Sequence, residues 1–374
     1  MVNPTHAGIN SSFRSRSSAA SRLVYVTYTR IQDGRGYVGV ISPKENKILA
    51  TVPVGRNPGP VALSPDGTTV YVANRDDATL SVIDTSTNRV SALLPTGTNP
   101  TAILITPDNK RTYVAGYGGK AITVIDNASF TVITTISLQD HPFSLTVDPN
   151  GRFVLAACKG SSSGLDSYVI IHTEDHSVHM ESGCWTSADH NPIAVSANGL
   201  WFAVSGVSRI VMWSIQKNSC RYHSSWTLGP HWGVVSTDNG RWHGNFYFIR
   251  NGPSPGILHA EISSGFTGPH FIESYKGQRI IAGSPDQRKI CITIAGEHDQ
   301  RPGLHIIKPQ EEQTSHFVEL QSAYDVGITE DSSKAFVTGD NSLTPVDLAS
   351  YMREEPIAVE GRIRGIAACY RTQS

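Results

Sequence analysis

Short stretches of alternating apolar and polar residues recur along most of the chain. Residues 60–84 (PVALSPDGTTVYVANRDDATLSVID) contain three short apolar stretches, and the alternation is clear in Thr69–Asn74 and Leu80–Asp84. Such alternation predicts strands with one buried face. Pro65-Asp66-Gly67 joins the first two strands, because proline fixes the first turn position and Asp-Gly supplies the positive φ of a tight hairpin.

The turn marker between the first two strands repeats at a regular interval. The markers run from residue 65 to residue 330 in six steps, or about 44 residues each. Four short strands in each repeat of this length predict a β-propeller rather than a solenoid. The seven markers are Pro65-Asp66-Gly67, Pro107-Asp108-Asn109, Pro149-Asn150-Gly151, Ala197-Asn198-Gly199, Asp238-Asn239-Gly240, Pro285-Asp286-Gln287 and Glu330-Asp331-Ser332.

The two ends of the chain predict one composite blade. Three strands (Leu23–Thr27, Tyr37–Ile41 and Lys47–Val52) precede the first full repeat, and one strand (Arg364–Tyr370) follows the last. Together they make four strands and would close the ring without leaving an unpaired edge. We therefore predict an all-β propeller with eight four-stranded blades, or seven if one weak repeat is misread. Residues 23–374 form a single domain in this prediction, after a disordered tail at 1–22.

Three stretches carry a resemblance to a known repeat family. Leu23–Thr27 (LVYVT), Val70–Asn74 (VYVAN) and Ser81–Asp84 (SVID) are similar to the repeat of the YVTN β-propeller family, and the likeness is strong over residues 23–158. The resemblance implies the fold, while its function stays open among surface-layer modules, lactonase-like enzymes and binding proteins. In overall layout the chain also resembles the propeller hetero-Diels–Alderases of fungal tropolone–sesquiterpenoid pathways, and this likeness supplies no site residue.

Composition excludes several classes of function. The 374 residues carry a formal net charge of −1, so no basic surface for nucleic acid is expected, and no apolar run is long enough to span a membrane. The sequence has no signal-peptide pattern, which predicts a soluble cytoplasmic protein unless a leader has been removed. The five cysteines are odd in number and widely spaced, which favours free buried thiols over a disulfide framework, although a Cys184–Cys220 bridge stays open. We expect no metal and no cofactor.

The candidate chemistry lies in the loops at one end of the blades. Loops joining the outermost strand to the next blade, and loops joining the two middle strands, emerge on one face around the axis, where propellers bind ligands. All six tryptophans lie between residues 185 and 242, and thirteen of the fourteen histidines lie between 141 and 316. The predicted catalytic residues are His141, His190, His231, Arg56 and Arg364, and the predicted substrate-binding residues are Trp185, Trp232, Tyr275, Tyr324, Tyr117, Tyr28 and Asn99.

Three functions remain open at this stage. The favoured one is a cofactor-free enzyme that takes a small, oxygenated, largely apolar substrate in the central pocket, such as a pericyclase or hetero-Diels–Alderase-type cyclase of secondary metabolism. Aromatic side chains would bind the apolar carbon, while histidine and arginine would polarise an oxygen. The alternatives are a non-catalytic module for a protein, peptide or glycan, and a lactonase-like hydrolase. The oligomeric state is not predicted.

Overall fold

The computed structural model describes thirteen ranges of the chain. They are 23–160, 166–184, 193–196, 199–205, 209–216, 219–227, 231–237, 245–250, 255–261, 270–273, 278–296, 301–309 and 315–368. Every regular element in these ranges is a β-strand, as the alternating pattern predicts. No helix in these ranges has the length and hydropathy needed to cross a membrane.

The strands are short, and most of them belong to antiparallel hairpins. The first sixteen are β1 (Val24–Arg30), β2 (Gly36–Ser42), β3 (Lys47–Val54), β4 (Pro58–Leu63), β5 (Thr69–Asn74), β6 (Thr79–Asp84), β7 (Arg89–Pro95), β8 (Pro100–Ile105), β9 (Arg111–Gly116), β10 (Ala121–Asp126), β11 (Thr131–Ser137), β12 (His141–Val147), β13 (Phe153–Lys159), β14 (Asp166–His172), β15 (Val178–Cys184) and β16 (Ile193–Val195). The others are β17 (Trp201–Ser205), β18 (Arg209–Gln216), β19 (Ser219–Thr227), β20 (His231–Thr237), β21 (Asn245–Arg250), β22 (Gly256–Glu261), β23 (His270–Glu273), β24 (Gln278–Gly283), β25 (Ile290–Ile294), β26 (Gly303–Ile307), β27 (Ser315–Glu319), β28 (Val326–Ile328), β29 (Lys334–Thr338), β30 (Ser342–Asp347), β31 (Ile357–Ala358) and β32 (Gly361–Ala367).

The strands form eight four-stranded sheets. Seven sheets contain four consecutive strands, and the eighth has the order β3-β2-β1-β32. In that sheet Val26 pairs with Ile366, so the last strand of the chain is hydrogen-bonded to the first. The predicted all-β propeller with a composite closing blade is confirmed, and the number of sheets is the one that the repeat count gives.

The sheets follow one another around a closed ring. The innermost strand of each sheet contacts the innermost strand of the next, in the order β4, β8, β12, β16, β20, β24, β28, β32 and back to β4. Apolar clusters fill the spaces between neighbouring sheets. In one cluster, Phe336 and Leu343 of one blade pack against Val24 and Ile366 of the composite blade. Burying a side chain of this size contributes about 1.5–3 kcal/mol, so the two chain ends are held by packing as well as by pairing.

The two faces of the ring have different roles. On one face, the hairpins that join the first two strands of each blade link neighbouring blades: the Asn109 side chain donates to Asp66 Oδ2 (2.9 Å), and the Asp286 amide donates to Ser332 Oγ (3.0 Å). On the opposite face, the loops between blades meet the loops between middle strands, as where the Gly118 amide donates to the Thr98 carbonyl (2.9 Å). This confirms the prediction that the two sets of candidate loops share one face.

Candidate functional site

Equivalent positions near the start of each innermost strand surround the axis. The strand pairing defines these positions: Val61 pairs with Val72, Ile103 with Val114, Ile281 with Ile292 and Ile366 with Val26. On each innermost strand, the residue two places before the first-named residue of the pair lies at an equivalent height along the axis. We call the described members of this set the hub ring. It consists of Gly59, Thr101, Phe143, Arg279, Tyr324 and Arg364.

The hub ring lies at a cavity on the axis of the propeller. The cavity measures about 450 Å³, which is within the range of small-molecule sites. Its described lining includes every hub-ring residue except Gly59, together with Arg75, Asp325 and the apolar residues that follow along the innermost strands. The site is therefore built mainly from strands, whose paired backbones hold the side chains in fixed positions.

Arg75 enters the hub at the one described ring position that has no side chain. It follows the last residue of β5, and its guanidinium lies over Gly59: a Cβ built on Gly59 would be 2.4 Å from Arg75 Nε and 3.0 Å from Cζ. Such distances are not compatible with a side chain at residue 59 while Arg75 keeps this position. The glycine thus gives Arg75 the space to reach the cavity from the neighbouring strand.

The cavity carries an excess of positive charge. Its described lining contains Arg75, Arg279 and Arg364 but one carboxylate, Asp325. Burial lowers the pKa of Arg75, and the positive charge of Arg364 lowers it further. Within the described ranges none of the three arginines forms an ion pair, and Arg75 Nε is buried without a hydrogen-bond partner. Arg75 and Arg279 are half-buried, and a cation partly removed from water without a partner is unfavourable, so this arrangement favours an anionic ligand.

Tyr324 contacts one of these arginines and a carboxylate outside the cavity lining. The Arg279 guanidinium carbon lies 5.4 Å from the centroid of the Tyr324 ring, which is cation–π distance. The Tyr324 hydroxyl donates to Asp340 Oδ1 (2.9 Å), and this hydrogen bond raises the pKa of Tyr324. The phenol therefore stays protonated at neutral pH and holds its ring at the edge of the cavity.

Two of the predicted site residues, Arg364 and Tyr324, line the cavity. Five others have described positions outside its lining. Arg56 is exposed and forms an ion pair with Asp77 (2.6 Å), and Asn99 is an exposed turn residue with a φ of 51°.

His141 and Tyr117 pack on each other outside the cavity. The His141 ring stacks on Tyr117 with centroids 4.8 Å apart, and Nδ1 lies 2.7 Å from the Tyr117 carbonyl oxygen. The imidazole thus links two neighbouring blades. Its predicted catalytic role has no support in this geometry.

Tyr28 does not lie in the loop that its prediction as a substrate-binding residue assumed, and it is outside the described lining of the cavity. Strand β1 continues to Arg30, so Tyr28 is a strand residue that pairs with Tyr37 rather than a loop residue. It is 2% exposed and stacks on Tyr37 with centroids 5.7 Å apart. Its side chain is enclosed by the protein in this structure.

The remaining predicted residues lie outside the described part of the chain. Trp185, His190 and Tyr275 fall outside the described ranges. His231 and Trp232 begin strand β20, but their side chains are not described. Residue 232 is two places before Val234, which pairs with Phe248, so by the rule that defines the hub ring Trp232 would belong to it. These five stay predictions.

The sequence reasoning missed three charged residues of the cavity: Arg75, Arg279 and Asp325. The reasoning searched the loops between strands, whereas Arg279 and Arg364 belong to strands. The sequence does contain a signal for Arg279. A Ser or Thr stands directly before most of the turn markers, and in four repeats the residue five places before it is Gly59, Thr101, Arg279 or Tyr324. Comparing this one position between repeats would have found an arginine in place of small residues.

The described residues contain no group of three or more His, Cys, Asp or Glu side chains that could hold a metal ion. Cys158 and Cys291 are buried. His259 is buried, bonded through Nε2 to Asn245 Oδ1 (2.9 Å) and stacked on Tyr247. Such contacts serve packing.

Comparison with known proteins supports the propeller fold. Residues 24–161, little more than a third of the chain, match a family model described as "Lactonase, 7-bladed beta-propeller". No curated protein sequence matches the chain. The family description names seven blades, but the match ends within the fourth of the eight sheets and does not bear on the number in the whole ring.

Several solved structures share this architecture at low sequence identity. Dihydro-heme d1 dehydrogenase NirN, solved in complex with DHE, is 14% identical with a TM-score of 0.76, over 96% of this chain and 77% of that one. AztD from Citrobacter koseri is 14% identical with a TM-score of 0.67, over 92% and 96%. A putative 6-phosphogluconolactonase from Bacteroides fragilis is 13% identical with a TM-score of 0.57, over 93% and 98%. At such identities the similarity concerns the fold alone.

Proposed function

We propose that this protein binds a small anionic molecule in the cavity at the hub of the propeller. The observation that carries the proposal is the set of three arginines, Arg75, Arg279 and Arg364, that line one cavity without ion-pair partners in the described ranges. Guanidinium groups bind carboxylates and phosphates through charge-assisted hydrogen bonds. These arginines come from three blades, and the blade of Tyr324 and Asp325 lies between those of Arg279 and Arg364, so a ligand that contacts all three must lie inside the cavity.

The test compares two arginines on the same face of the ring. We expect inorganic phosphate and 3-phenylpropanoate to bind the native protein in calorimetric titrations. Arg364→Met removes a charge from the cavity and should weaken both probes by about tenfold or more, the range of one charge-assisted hydrogen bond. Arg56→Met is the matched control, since Arg56 is exposed and paired with Asp77. Equal binding by the Arg364→Met and native proteins would contradict the proposal.

A second candidate is hydrolysis of a lactone in the same cavity. It is supported by the match of residues 24–161 to the lactonase family model and by the presence of Asp325 beside the arginines. In this mechanism Asp325 takes a proton from a water molecule, whose oxygen attacks the lactone carbonyl carbon. An arginine stabilises the resulting oxyanion. The ring C–O bond then breaks, the leaving oxygen receives the proton, and the product is a hydroxy acid.

Dihydrocoumarin is a suitable probe for this reaction, because its hydrolysis releases a proton that a pH indicator detects. We expect turnover by the native protein, loss of turnover in Asp325→Asn, and no change in Asp77→Asn, which lies in an exposed ion pair. If the native protein binds anions but does not hydrolyse dihydrocoumarin, the lactonase candidate is wrong and the anion-binding proposal stands.

The predicted pericyclase activity receives no support from the comparisons and stays a prediction. The apolar part of the cavity is compatible with such a substrate, but three unpaired arginines exceed what an uncharged substrate needs.

A further inference from the structure

The lining of the cavity contains a charged group of side chains and an apolar group, which we call the apolar wall. At and next to the hub-ring positions, the innermost strands present half-buried apolar side chains to the cavity. They come from five blades and are Val61, Ile103, Phe143, Ile280 and Ile363. Each also packs against one of the apolar clusters between blades, so the wall is rigid.

From this division we infer that the ligand is a monocarboxylic acid with an apolar body, rather than a phosphorylated or polyhydroxylated sugar acid. The inference rests on the proposed function and names its ligand class. The acid group would lie at Arg75, Arg279 and Arg364, and the body would extend along the wall that includes Ile103 and Phe143.

Two features of the cavity disfavour the polar alternatives. Hydroxyl groups placed against the apolar wall would lose their hydrogen bonds to water and gain none, which is unfavourable. A second negative charge on the ligand would be repelled by Asp325, the carboxylate in the described lining. Phe143 and Tyr324 add aromatic rings from two blades to the lining, which suits a flat or branched hydrocarbon body.

The experiment uses three probes that separate the two parts of the ligand. 3-Phenylpropanoate has the acid and the apolar body, gluconate has the acid and a hydroxylated body, and 3-phenylpropanol has the body without the acid. In calorimetric titrations of the full chain, we expect 3-phenylpropanoate to bind about tenfold or more tightly than either of the others.

A pair of identical substitutions tests the wall. Ile103→Thr keeps the β-branched shape and places a hydroxyl in the wall, so it should weaken 3-phenylpropanoate at least threefold while leaving inorganic phosphate unchanged. Ile133→Thr is the control, because Ile133 is 41% exposed on the outermost strand β11. It should change neither probe.

The outcomes separate this inference from the proposed function. If phosphate or gluconate binds in an Arg364-dependent way as tightly as 3-phenylpropanoate, or if Ile103→Thr has no effect, the apolar ligand class is wrong and the anion site stands. If no anion binds in an Arg364-dependent way, both the apolar ligand class and the proposed anion-binding function are wrong.

Discussion

Substituting Gly59 by alanine tests how Arg75 reaches the hub. The φ of Gly59 is not in the left-handed region, so alanine can adopt the backbone conformation. The added Cβ would lie 2.4 Å from Arg75 Nε, a distance that real Cβ atoms do not show. Because the nearest atoms belong to a long flexible side chain, we expect the guanidinium to move out of the cavity while the fold is retained.

The size of the effect follows from the contact that is lost. A hydrogen bond to a charged group contributes about 1.5–3 kcal/mol, which corresponds to about a ten- to 150-fold rise in Kd. The assay is calorimetric titration with 3-phenylpropanoate. Gly119→Ala is the matched control, because its Cβ would meet no atom closer than 3.5 Å.

A double-substitution cycle shows whether Gly59 acts through Arg75. If Arg75→Met alone weakens binding as much as Gly59→Ala and Arg75→Met combined, the two positions form one unit. Native affinity in Gly59→Ala, or a further loss when it is added to Arg75→Met, would refute the reasoning.

Three further predictions concern stability. Gly36→Ala should lower the melting temperature by several degrees, since its Cβ would lie 1.9 Å from the Gly55 carbonyl oxygen; an unchanged melting curve would contradict the packing described. Ile366→Ala in the closing strand should cost about 2–5 kcal/mol in denaturant unfolding, and a cost below 1 kcal/mol would argue against closure by this blade. Burial lowers the pKa of His176, and the charge of Arg111 lowers it further. The unfolded chain therefore takes up a proton first, so stability should fall as the pH drops below about 6.5, and less so in His176→Asn, which tolerates the φ of 58°; equal pH profiles would rule out this contribution.

The strands and the closure of the ring could be predicted because they depend on local patterns. Alternation and turn markers repeat in nearly every blade, and strand β5 has the predicted bounds Thr69–Asn74. The leftover strands at the two ends pair as expected, with Val26 opposite Ile366.

The site could be predicted only in part, because it depends on how blades face one another. Arg364 and Tyr324 were found since they lie where loops join strands. Arg75 was missed because its access to the hub depends on a missing side chain at Gly59, which belongs to a different strand. Tyr28 was assigned to a loop, whereas its pairing with Tyr37 extends β1 beyond the predicted end.

A crystal structure with 4-bromobenzoate would test most directly whether the hub holds an acid by its arginines. The bromine gives an anomalous signal that locates the apolar end, and the carboxylate can be placed from it. We expect bromine in the hub cavity beside Ile103 or Phe143, the carboxylate directed at Arg75 and Arg364, and loss of the signal in Arg364→Met crystals. Bromine confined to the outer surface of the ring, or a carboxylate directed away from the arginines, would contradict this site.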